Sequence, residues 1–133
     1  MKAARDEIWF RKIYIDLIKA RKITTIFRPG QRLCNCNKGF CKGERLKIRI
    51  IDKVGADWAG VLGQILPDFS QEVQVLETKV ITLGSLSADD FLGSSPDINN
   101  ILSLRYHLGI LYNLTPIELD DKAIITVTTF LYV

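Results

Sequence analysis

Histidine is almost missing from this 133-residue chain: His107 is the only one. Cysteine is confined to Cys34, Cys36 and Cys41, all in one short stretch. A closed zinc site needs four ligands, and three thiols with one distant imidazole fall short of it. The Cys34-x-Cys36-x4-Cys41 spacing is also not a paired knuckle, so these cysteines are weak metal candidates and a metal is not expected. A cysteine nucleophile would want a neighbouring base, and none is near in sequence, although Arg32, Lys38, Lys42 and Arg45 would lower a thiol's pKa. No run of eighteen apolar residues is present, which excludes a membrane-spanning helix. The opening Met1–Glu7 stretch is charged and lacks the apolar core of a signal peptide, so the expected location is cytoplasmic. In a reducing compartment the three cysteines are expected as free thiols. No repeat, low-complexity segment or cofactor motif stands out.

Acidic residues are scarce in the first part of the chain. Residues 1–53 hold fifteen of the eighteen Lys and Arg but five of the fifteen acids, a net of +10, whereas residues 54–133 carry a net of −7. Such a basic half suits a polyanion such as RNA, an acidic protein partner, or the acidic half of the same fold. The length fits one domain with enough core to fold without metal or disulfide.

Residues 6–21 show apolar spacing at three to four, Ile8, Trp9, Ile13, Leu17 and Ala20, and are expected to form a helix capped by Asp6. Strands are expected near 24–28, 46–52, 72–83 and 123–133 from alternation and β-branched content. In the third, Val73, Val75, Glu77, Lys79 and Ile81 share one parity. Ser87 with Asp90 resembles a capping box for a short helix, and a longer helix is expected over 97–112, capped by Asp97. The segment 54–68 has no clear pattern. The fold class is α+β with a curled or closed sheet.

Residues Ile15 to Arg28 resemble the signature of the ASCH domain, a branch of the PUA-like superfamily, in which a helix ends in a Gly-Lys/Arg-Lys-Thr stretch before a strand. Gly43-Glu44-Arg45-Leu46 and Leu83-Gly84-Ser85-Leu86-Ser87-Ala88-Asp89 are similar to later signature segments. The family's usual helix-ending Gly is replaced here by Ala20 or Arg21. The resemblance implies one PUA-like barrel spanning residues 1–133, with a cleft between barrel and helices that binds RNA or a nucleoside.

Some small ASCH proteins deacetylate N4-acetylcytidine with a Lys, a Thr and a Glu. The resemblance places the first two on Lys22 and Thr25, and leaves Asp89 or Asp90, with Asp97, to replace the missing Glu. A lysine base, a threonine hydroxyl and a carboxylate form a plausible amide-cleaving set. The leading expectation is nonetheless a binding module with a basic cleft. Its ligand contacts would be Lys22, Arg28, Arg32, Lys42, Arg45, Lys47 and Arg49, interleaved with Phe27 and Phe40. The alternatives are the amidohydrolase and a non-catalytic domain docking on an acidic partner.

Overall fold

The computed structural model describes residues 7–34, 39–51 and 65–133. Five strands form one mixed sheet: β1 (Glu7–Arg11), β2 (Thr25–Pro29), β3 (Arg45–Ile51), β4 (Gln71–Thr82) and β5 (Ile124–Tyr132). Their order is β1-β3-β4-β5-β2, with β1 parallel to β3 and every other pair antiparallel. The sheet is not closed. The helices are α1 (Ile15–Lys19) and α2 (Ile101–Tyr112). Among the described residues, no helix is long and apolar enough to cross a membrane.

The sheet separates two cores because alternate residues of a strand face opposite sides. Phe130, Val73, Val75, Leu46, Ile48 and Ile50 bury one face with Ile18 of α1 and Phe40. Ile125 and Val127 bury the other with Phe27, Leu83 and Leu104 and Leu108 of α2. The fold is thus α+β with one helix on each face, and the four expected strands all form.

The first part of the expected N-terminal helix is a strand. Only Ile15–Lys19 is α-helical, after a 3-10 turn at Lys12–Tyr14. Glu7–Arg11 instead pairs with β3, where Glu7 faces Lys47, Ile8 faces Ile48 and Trp9 faces Arg49. Bulky Ile, Trp and Phe favour a pleated surface over a short helix once such a partner exists. The proposed Asp6 cap lies outside the described residues.

Helix α1 ends in a hydrogen-bonded reversal: the Arg21 N–H donates to Ile18 O and the Lys22 N–H to Leu17 O, both at 2.9 Å. That pattern needs a left-handed residue, and Arg21 supplies it with φ 59°. The glycine that the signature favours at this place would adopt that conformation without steric cost.

Helix α2 begins later than expected, because Asn100 caps it by accepting from the Ser103 N–H at 2.8 Å. Asp97 has another role. Its carboxylate accepts from the Tyr14 hydroxyl at 2.5 Å and lies 3.4 Å from Arg11 and 3.3 Å from His107. Burial pushes this carboxyl up, but hydrogen bonds from Tyr14 and Ser95 and the His107 charge outweigh it, and the carboxyl titrates below its ordinary value. A depressed carboxyl contributes stability above its unfolded pKa, and loses it as pH falls through the folded one. Asn at this position still accepts from the Tyr14 hydroxyl but carries no charge beside Arg11 and His107, so replacing Asp97 by Asn is expected to cost about 0.5–1.5 kcal/mol at neutral pH. The deficit against wild type should shrink in acid, as urea denaturation at pH 7 and pH 3 would measure; an equal deficit at both would remove the ionic contribution.

Cys34 and Cys41 are joined in a disulfide, not held as free thiols, their Cα atoms 4.4 Å apart. That separation lies within bridging range. Two of the three thiols are thereby withdrawn from any metal site. Among the described residues, no cluster of three metal-ligating side chains occurs. Cys36 lies outside the described residues, as does Lys38.

Candidate functional site

A β-bulge decides which side chains reach the functional face. Val75 pairs with Phe130 and Glu77 with the adjacent Thr129, so Leu76 is an extra residue in β4. One inserted residue exchanges the two faces of everything after it. Val73 and Val75 therefore point into the α1 core, whereas Glu77, Lys79 and Ile81 point to the α2 side. The sequence places all five on one parity; the bulge divides them.

Two rows of side chains result. Thr25, Thr129 and Glu77 lie side by side across β2, β5 and β4, and Phe27, Val127 and Lys79 form the next row. Over them runs the segment after β4, which turns at Leu83–Ser85 and again at Ala88–Phe91. Ser87 and Asp90 cap the second turn reciprocally, as the sequence implied. Between sheet and turn is an open cleft of about 200 Å³, lined by Thr25, Glu77, Lys79, Asp89, Asp90, Leu92, Val127 and Thr129.

The roof is tied down at its two ends. Thr24 and Thr25 both donate their N–H to Gly93 O, and the Thr25 hydroxyl donates to Leu92 O at 3.1 Å. Lys79 Nζ lies 2.5 Å from Asp90 Oδ1. Burial pushes the Asp90 carboxyl up, but the bonds from Lys79 and Ser87 and the lysine charge outweigh it, so it titrates below its ordinary value. Asp90 is thus a structural clasp with its acceptors engaged. Glu77 is exposed at the mouth, as is Asp89.

The predicted site residues divide sharply. Thr25, Asp89 and Asp90 meet in the cleft; Lys22 is exposed and does not line it. Asp97 belongs to the Tyr14–His107 cluster instead. Sequence reasoning missed Glu77, Lys79 and Thr129. The signal was present in β4, where one parity runs apolar, apolar, charged, charged, apolar, a pattern a bulge resolves.

The cleft is not basic: its charged lining is one lysine against three carboxylates. The predicted basic residues lie elsewhere. Arg45 pairs with Glu72 at 3.3 Å, and half-buried Arg49 pairs with Glu7 at 3.1 Å. Lys47 is exposed between Glu7 and Glu72 in the register, and Lys42 is exposed on the turn before β3. The basic face of β3 is thus matched by acids on its neighbours. Phe27 and Phe40, expected as base platforms, are buried at 8% and 4% exposure. Arg28 lies over the ring of Phe40 and Arg32 over that of Tyr112.

No family model and no curated protein matches this sequence. Solved structures do. The chain is similar to protein EF3133 from Enterococcus faecalis V583, of the DUF984 family, with TM-score 0.57 and 10% identity over 100% of this chain and 83% of that one. It is also similar to an ASCH domain from Lactobacillus crispatus JV V101, with TM-score 0.52 and 9% identity over 91% of this chain and 70% of that one. The resemblance carried by the helix-ending motif is therefore supported at the level of fold: this chain has the α+β fold of the ASCH-domain and DUF984 structures.

Proposed function

We propose that this chain is an RNA- or modified-nucleoside-binding module that takes one base into the cleft roofed by residues 89–92. The observation that carries the reading is the lining itself: hydroxyls and carboxylates converging on about 200 Å³. That is below the ~300–1,000 Å³ of clefts for drug-sized ligands, so it suits a single heterocycle. Val127 and Leu92 offer apolar contact to a ring. Glu77 and Asp89 are acceptors, and a carboxylate accepts well from an exocyclic amino group such as that of cytosine. Thr25 spends its proton on Leu92 O and keeps lone pairs for the ligand. Bases bearing an amino group (cytosine, adenine and guanine) should therefore bind better than uracil.

Titration of ribonucleosides against the protein tests this. Cytidine is expected to bind more tightly than uridine, and Glu77→Gln, which keeps size but adds a donor, should erase most of that preference. The discrimination lost corresponds to about 1–3 kcal/mol. Equal affinity for all four nucleosides, or a preference indifferent to Glu77→Gln, would count against base recognition in this cleft.

Amide hydrolysis is the second reading, favoured by one observation: Glu77 shares the cleft with Thr25 and supplies the carboxylate that the resemblance lacked. Lys79 would then take the lysine's place, since Lys22 lies outside. Release of acetate from N4-acetylcytidine, lost in Thr25→Ala and Glu77→Gln, would establish it; no release from the wild type would exclude that substrate.

A further inference from the structure

Helix α2 is apolar on two sides. Leu104 and Leu108 point into the core beneath it and are at most 2% exposed. Leu102, Tyr106 and Ile110 recur at intervals of four on the other side, where they are 73%, 65% and 45% exposed. A helix that merely covers a core carries charged and polar residues on its outer face, whereas one that is apolar all round is buried. This helix has no acidic residue, and its Ser, Arg and His side chains are engaged within the protomer. Ser103 exchanges hydrogen bonds with Asn100 at the helix start. Arg105 donates to Asp121 Oδ1 at 2.8 Å, and His107 lies between Ser103 O and the Asp97 carboxylate. The turn at 115–119 runs beside Gly109, where a Cβ would lie 3.2 Å from Leu114 O and 3.9 Å from Leu119 Cδ1. That turn carries Ile117, 85% exposed, at the edge of the stripe.

We infer that this stripe is the contact surface of a homodimer, in which α2 packs antiparallel against α2 of a second copy across a two-fold axis at Tyr106. The spacing selects a second copy as the occupant. Leu102 and Ile110 stand four residues to either side of Tyr106, so the stripe reads the same in both directions. An antiparallel copy therefore sets Leu102 against the partner's Ile110, twice, and the two Tyr106 rings against each other, which is the self-complementarity a two-fold contact requires. Charge points the same way. The stripe carries none, so it offers nothing to an acidic or basic partner and nothing that repels its own copy. The area is also sufficient. Leu102, Tyr106, Ile110 and Ile117 at these exposures present on the order of 500 Å² per protomer, about 1,000 Å² for the pair, which reaches the lower bound of a specific interface. An aromatic residue at the centre with aliphatic neighbours is the composition of an interface core. The antiparallel arrangement also sets opposite helix ends side by side, which the backbone dipoles favour. None of the residues lining the cleft belongs to α2, so the dimer leaves the cleft open.

Sedimentation equilibrium of the full chain between about 1 and about 500 μM tests this. A contact of this size is expected to dissociate in the micromolar range. Association should be insensitive to sodium chloride and strengthened by sulfate, as apolar burial is. Tyr106→Glu should weaken it at least about hundredfold, since the two-fold axis brings each substitution in twice, while the circular dichroism spectrum stays that of wild type. Leu102→Glu and Ile110→Lys should each do the same. Combining those two substitutions in one chain should restore association, because the two-fold axis then sets opposite charges against each other. A chain that stays monomeric throughout the range would overturn the inference, whether the stripe is bare or covered by another part of the same chain. So would a dimer that sodium chloride disperses, one that ignores Tyr106→Glu, or a double variant that associates no better than the single ones.

Discussion

Deleting Thr78 should abolish ligand binding in the cleft, whereas deleting Leu76, the bulged residue, should leave the cleft assembled. The difference comes from register, not from the lost side chains. Without Leu76, Val75 and Glu77 become neighbours, and alternation alone keeps them on opposite faces, paired with Phe130 and Thr129 as before. Without Thr78, the pairings of Val75 with Phe130 and of Lys79 with Val127 are both kept only by an unbulged strand. In that strand Leu76 takes the place of Glu77 beside Thr129, and Glu77 turns to the α1 side. The row Thr25–Thr129–Glu77 is then broken, and the carboxylate turned inward costs about 1–3 kcal/mol as a buried polar group without a partner. Leu76→Ala is the control, expected within about 0.5 kcal/mol of wild type for an exposed site. Urea denaturation of all three variants, with cytidine titration of each that folds, provides the measurement. Cytidine binding that survives the deletion of Thr78 would show that the bulge does not set the face.

Gly93→Ala is the second large effect. Gly93 has φ 82°, and a Cβ there would lie 2.2 Å from Thr24 Oγ1 and 3.3 Å from Thr25 Oγ1. The Thr24 hydroxyl can rotate aside, but Thr25 is held by its bond to Leu92 O. The left-handed conformation costs a side chain about 1–2 kcal/mol, and crowding adds about 1–3. Together these amount to roughly 2–5 kcal/mol, or a melting temperature lower by about 10 °C. The consequence for function is local. Gly93 O receives both the Thr24 and Thr25 N–H groups, so moving it lifts the roof from β2. Cytidine affinity is expected to fall with the roof's displacement, by more than the loss of stability alone explains. A melting temperature within 2 °C of wild type would show that the roof accommodates the methyl group.

The sequence by itself determined the elements whose signals are local. Strands β2 to β5 follow from alternation and β-branched runs, and the Ser87–Asp90 cap from two side chains three residues apart. The motif from Ile15 to Arg28 also pointed to the right fold. The helix expected ahead of it begins as a strand, because apolar spacing in Glu7–Arg11 satisfies either period until β3 lies alongside. The helix-ending position kept its left-handed geometry without the glycine, since the backbone reversal at Arg21 is fixed by hydrogen bonds that any residue can make.

Tertiary structure alone decided the rest, and the reason is the same in each case: the partners are distant in sequence. Thr25 was visible as a candidate because it lies in the motif, whereas Glu77 and Thr129 join it in the cleft lining only through strand pairing and a one-residue bulge. The basic stripe on β3 looked free because its neutralising acids, Glu7 and Glu72, are on neighbouring strands. Asp97 looked like a helix cap because Tyr14 and His107 are not adjacent to it in the chain. Cys34 and Cys41 looked like free thiols because composition does not report the distance between two Cα atoms. Charge counted along the chain gave a basic half; pairing across the sheet left a cleft lined by three carboxylates and one lysine.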